Sequence, residues 1–152
     1  MLFRSEGLID QPGQRVEFLR ATAAGLEKLG RHAEAFEAFL RLAMQDAQSE
    51  SEPGFTGTPR EPVSKNLTVR HDRWVFARMN SLYTQAGEAD RKAMDATIAG
   101  QWEQAKSRDS EKGLRRFVQY FGFHAIGDQA RLTLAKRLLL NDELLEIGRA
   151  HV

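Results

Sequence analysis

The sequence predicts an all-α fold: an antiparallel array of helical hairpins with about six or seven helices. Three observations carry this. Apolar residues recur every three or four positions in one stretch after another, which is the spacing of a buried helical stripe. Glycine follows several of these stretches, at Gly30, Gly87 and Gly122, where a helix is expected to end. No stretch of convincing length alternates apolar with polar residues, so no strand is predicted.

The elements follow in order. Pro12 suits the first turn of a helix, where its missing N–H costs nothing. Val16, Leu19, Ala23, Leu26 and Leu29 then form one stripe, and Gly30 closes the helix. Ala35, Phe36, Phe39, Leu40, Leu42 and Ala43 form the next apolar face. So short a connection makes the two helices an antiparallel hairpin. Residues 48–66 differ in kind. They hold three of the four prolines, two glycines and few large apolar groups, and read as a solvated loop or linker. Phe55 is the anchor if that loop folds against a partner. Helical spacing resumes near Val69, with Trp74, Val75, Phe76, Met79, Leu82, Tyr83 and Ala86. A more polar helix spans Ala89 to Lys106 and carries Ile98 and Trp102. Asp109 or Ser110 can cap the following helix, whose stripe is Leu114, Phe117, Val118 and Phe121. Asp128 can cap a last helix bearing Ala130, Leu134, Ala135, Leu138 and Leu139. The organisation expected is an N-terminal hairpin at 1–47, a linker at 48–68, C-terminal helical repeats at 69–146 and a non-native tail at 147–152.

Helix pairs with short turns raise the question of repeats. The segment FLRATAAGLEKLGRHAEAFEAFLRLA resembles one tetratricopeptide repeat. Leu19, Ala23 and Leu26 stand at the first-helix positions, Gly30 at the turn, and Ala35 and Phe39 in the second helix. Small residues at Ala23 and Ala35 let the helices approach, and larger groups at Leu26 and Phe39 fill the space around that contact. Phe76, Met79, Asn80, Tyr83 and Gly87 match a second first-helix and turn, but Lys92 then stands where a small residue belongs. Ala135 and Leu138 repeat the relation once more. The strings LFRSEGLIDQPGQRVEFLR, RHDRWVFARMNSLY and LRRFVQYFGFHAIGDQARLTLAKRLL are also similar to the helical region of large bacterial, planctomycete-type proteins. Those proteins carry repeats like the pyrroloquinoline-quinone-binding β-propeller. The resemblance implies a solenoid fragment that spaces or docks neighbouring domains. This chain has no propeller blade, so no cofactor-binding residue is carried over. The tail Ile147 to Val152 resembles the translation of a short-read sequencing adapter, which places the native chain's end near Glu146.

Composition narrows the function. The chain has 152 residues, 41% hydrophobic and 28% charged, enough for one domain with a core of useful size. A net charge of +1 gives no field to gather nucleic acid or an anionic membrane. The longest apolar run, Leu138 to Leu140, is far too short for a membrane span. With no cysteine, disulfides and thiol chemistry are excluded. His32, His71, His124 and His151 show no metal-ligand spacing and read as solvated or capping residues. Asp72 with Arg73 can order a helix start. No nucleophile elbow or phosphate-binding glycine loop occurs, so no enzyme is expected, and neither metal nor cofactor. Arg115, Arg116 and Arg137 beside Tyr120 and Phe121 could be drawn as a nucleic-acid patch, but the acidic neighbours argue against it. The aromatic set Trp74, Phe76, Tyr83 and Trp102 reads first as core. The sharper reading places Tyr83 and Trp102 in a concave groove as partner-binding residues, since each has a polar group able to face water. The expected function is therefore a non-catalytic scaffold or protein-interaction segment of a larger bacterial protein, able to self-associate through exposed repeat ends. A stand-alone peptide-binding adaptor and a non-catalytic part of a multidomain propeller enzyme are the alternatives.

Overall fold

The structure, a computed structural model, describes residues 12–49, 60–108 and 110–150, with side chains described at 13–45, 60–108 and 110–142. The described residues form six helices and one small two-stranded sheet. The all-α expectation holds apart from that hairpin. The chain divides into two compact units, Met1–Met94 and Asp95–Val152. The boundary falls within a helix, and each unit has its own core.

In the first unit, α1 (Pro12–Lys28) and α2 (His32–Ser49) pack together, and α2 also packs against α3 (His71–Gln85). Gly30 has a φ of 72°, a region that costs other L-residues about 1–2 kcal/mol. This glycine lets α1 close in a Schellman turn. The Gly30 N–H donates to the Glu27 carbonyl at 3.0 Å and the Arg31 N–H to the Leu26 carbonyl at 3.0 Å, so two orphan carbonyls are satisfied. The same turn removes Leu29 from the stripe assigned to it: it is 73% exposed. Ala23 and Ala35 are fully buried, as the small residues of a close helix contact should be. Phe36, Phe39, Leu42, Val75, Met79 and Leu82 fill the space around them.

Between α2 and α3 the strand-free expectation fails. β1 (Arg60–Ser64) and β2 (Leu67–Arg70) form an antiparallel hairpin closed by Lys65 and Asn66. The nine C-terminal residues of the 48–68 segment are thus ordered chain. The remainder of that segment, Phe55 included, lies outside the described residues apart from the end of α2. Strand β1 lacked a sequence signal because its one buried residue is a charged one, Glu61.

The second unit comprises α4 (Glu88–Ser107) from Asp95 onward, α5 (Glu111–Phe121) and α6 (Ala125–Ala150). Ser110 is the α5 cap, its hydroxyl accepting from the Gly113 N–H at 3.1 Å. Leu114, Phe117, Tyr120 and Phe121 make the buried face of α5. The Phe117 ring is tilted against Trp102 at 5.2 Å and against Phe121 at 4.9 Å between centroids. Tyr120 and Phe121 are 6% and 3% exposed. The helix α6 starts three residues before Asp128, so that aspartate sits in the first turn and not at the cap. The capping work falls to His124, whose Nδ1 accepts from the Ile126 N–H at 3.2 Å. The backbone of α6 remains helical through Ala150, past the start of the predicted tail.

Candidate functional site

The first unit contains a polar cluster that no linear motif announces. Three elements supply it. Arg20 comes from the middle of α1, Glu61 from β1, and His71 is the first residue of α3. The Glu61 carboxylate points inward because alternate residues of a strand face opposite sides, and its cross-strand partner Val69 shares that inner face. One oxygen, Oε1, takes two bonds: 2.5 Å from Arg20 Nη2 and 2.5 Å from His71 Nδ1. With Glu61 ionised, Nδ1 carries the proton of the second bond. Glu61 and His71 are buried, 4% and 1% exposed, while the Arg20 side chain is 38% exposed. The expectation that His71 is solvated or capping is therefore overturned. It opens α3, but its ring is a core group held by a carboxylate 10 residues away in sequence.

Trp74, one turn along α3, forms the wall of this cluster. Its ring meets Phe39 edge-on at 5.6 Å and lies 5.9 Å from the His71 ring. Two guanidinium groups flank it, Arg20 at 6.0 Å and Arg78 at 5.9 Å. Each of these arginines has a buried Nε without a hydrogen-bond acceptor. The indole face is what they meet instead, an electrostatic attraction of the cation to the ring quadrupole. Arg78 also reaches Glu27 of α1 at 3.4 Å. The result is a strip of two arginines and a half-buried tryptophan running from α1 to α3.

Asp72 is buried beside this cluster, and its partner is Arg70, not Arg73. Arg70 Nε and Nη2 donate to its two oxygens at 3.1 and 2.9 Å. The carboxylate stands in the first turn of α3, where negative charge favours the helix dipole. Elsewhere His32 stands 3.9 Å from Asp90. His124 Nε2 lies 3.0 Å from Asp95 Oδ1. Because its Nδ1 accepts a backbone N–H, Nε2 is the nitrogen that donates to the carboxylate.

Two of the three sequence-predicted binding residues, Tyr83 and Trp102, are among the described residues. Tyr83 is half-buried on α3, with the Arg91 guanidinium 5.4 Å over its ring. Arg91 also donates to the Thr84 and Ala86 carbonyls at 3.3 and 3.2 Å, which closes the C-terminus of α3. Trp102 is 8% exposed and its ring lies tilted against Phe117, so it packs within the second unit. Phe55 lies outside the described residues. The residues the first unit does group are Arg20, Glu61, His71, Trp74 and Arg78. Linear sequence held little to find them by. Glu61 sits inside an apparent linker, 41 residues from Arg20. The one usable signal was the run Leu67-Thr68-Val69 after Lys65-Asn66, a strand following a polar turn.

Among the described residues no group of three or more His, Asp or Glu is placed to hold a metal ion, and no helix is long and apolar enough to cross a membrane. What the cluster can do chemically is bind a carboxylate: two converging donors, one cationic, against an aromatic wall. The chain matches no family model, no curated protein and no solved structure.

Proposed function

We propose that this chain is a non-catalytic helical module that docks a protein segment, either a separate partner or a neighbouring domain of the same polypeptide. The observation that carries the reading is the half-buried Trp74 held between Arg20 and Arg78, on a layer of packed helices. Tryptophan and arginine are the residue types that dominate binding energy at protein interfaces. Here the helices behind them fix their positions before any partner arrives, which lowers the ordering cost of binding. Resemblance of the α1–α2 pair to a tetratricopeptide repeat supports the same reading, since stacked repeats of that kind offer extended binding surfaces. The test is a peptide-display selection on the folded chain. The proposal expects an enriched peptide family whose binding is lost in Trp74→Ala at unchanged helical content. Failure to enrich any family, or enrichment indifferent to Trp74, would count against it.

A further inference from the structure

We propose that the pocket between Arg20 and His71 is a carboxylate-binding site that the chain fills with its own Glu61. The β1–β2 hairpin is then a latch over the Trp74 strip, and an acidic peptide is the ligand that displaces it. This deepens the docking function above and rests on it for the peptide, whereas the pocket stands on geometry alone.

The hairpin is held by very little. Glu61 is the one buried residue of β1, and β2 has no buried residue, only the half-buried Val69. Val63 and Leu67, which a docked hairpin would normally bury, are each 52% exposed. The sheet itself is weak. Pro62 lacks a ladder donor, and the register shifts between Pro62 and Ser64. Arg60 and Arg70 stand directly opposite each other across the two strands, a like-charge pair that opposes pairing. A two-stranded hairpin is marginal without outside support. Support here comes from the Glu61 carboxylate and, at the very end of β2, from the Arg70 pair with Asp72.

The pocket, by contrast, belongs to firm elements. Arg20 projects from α1 and His71 from α3, and Trp74 is braced on the fully buried Phe39. Lifting the hairpin leaves two donors, Arg20 Nη2 and His71 Nδ1, without the oxygen they share. The cost of that loss falls more on His71, 1% exposed beneath the closed hairpin, than on Arg20, whose side chain is 38% exposed. A carboxylate supplied by another chain restores both bonds, with the indole as an apolar wall for the residues around it. A neutral amide ligand meets the cation less well, because it brings no negative charge to pair with the guanidinium. Local opening of such a weakly held segment is the low-energy excursion that makes exchange feasible.

The test uses the full chain with Glu61→Ala, which vacates the pocket. The variant is expected to lose about 10 °C in Tm. Sodium acetate at about ten times its Kd should recover about 4 °C, and sodium chloride of equal ionic strength should not. The Arg20→Ala, Glu61→Ala double variant should show no acetate response. A blocked peptide Ala-Glu-Ala-Glu-Ala should move the Trp74 indole N–H signal of the wild type and leave that of Trp102. It should bind Glu61→Ala about tenfold tighter or more, because the competing latch is gone. Acetate acting no differently from chloride, or acting equally without Arg20, would overturn the pocket. If Glu61→Ala does not fold, the wild-type titration decides. A shift of the Trp74 signal with the Glu peptide and none with its Gln counterpart supports the latch, and equal behaviour overturns it. Acetate recovery without peptide binding would sink the docking function and spare the pocket; peptide binding without acetate recovery would do the opposite.

Discussion

Two glycine-to-alanine substitutions should change stability in opposite directions, and the structure gives both magnitudes. Gly127 lies in the first turn of α6, where that helix crosses the end of α5. A Cβ added there would stand 2.7 Å from the Phe121 carbonyl oxygen and 2.9 Å from the Gly122 Cα. Both are backbone atoms, so no side chain can swing aside. Relief requires α6 to move by several tenths of an ångström away from α5, loosening contacts at the buried Ala130. Overpacking of this kind costs about 1–3 kcal/mol. Alanine's helix propensity returns at most about 1 kcal/mol and less in a first turn. The net expectation for Gly127→Ala is a loss of about 1–2 kcal/mol. Gly100 is the control. It sits inside α4, exposed, with nothing within 4 Å of an added Cβ. Gly100→Ala should therefore gain about 0.5–1 kcal/mol from propensity alone. Urea unfolding followed by far-UV circular dichroism measures both, with the midpoint shift read at constant slope. Gly127→Ala as stable as wild type, or Gly100→Ala less stable, would refute the packing described for α5 and α6.

Other substitutions probe single features. Gly30→Ala meets open space but must hold a φ of 72°, so it should cost about 1–2 kcal/mol in the same assay. Ser110→Ala removes the oxygen that caps α5 at the Gly113 N–H and should cost about 1 kcal/mol, while Ser110→Asp should retain most of it.

The legible part of this fold was its helices, and for a local reason. Stripe spacing and a terminating glycine are properties of neighbours in sequence, and Gly30 and Gly122 stand just beyond helix ends as expected. Leu29 shows where local reading stops: it continued the α1 stripe by spacing, yet the turn at Gly30 carries it into water. Strand β1 was hidden because Glu61 inverts the usual pattern. A charged residue faces inward, and its justification is Arg20, on a helix two elements earlier. The same distance effect bears on the aromatics. Tyr83 and Trp102 each carry a polar atom; Tyr83 is half-buried beneath Arg91, and Trp102 is 8% exposed beside Phe117. Trp74 is the ring that meets two arginines, Arg20 from α1 and Arg78 from its own helix. Side-chain chemistry was visible in the sequence; which side chains converge was set by packing.

The central claim is that the strip around Trp74 receives a protein segment. Its most direct measurement is the affinity of the folded chain for a display-selected peptide, by calorimetry, in wild type and in Trp74→Ala. The account predicts about a tenfold loss of affinity or more in the variant, with helical content retained. Equal affinity in the two proteins would contradict it and move the docking surface elsewhere on the chain.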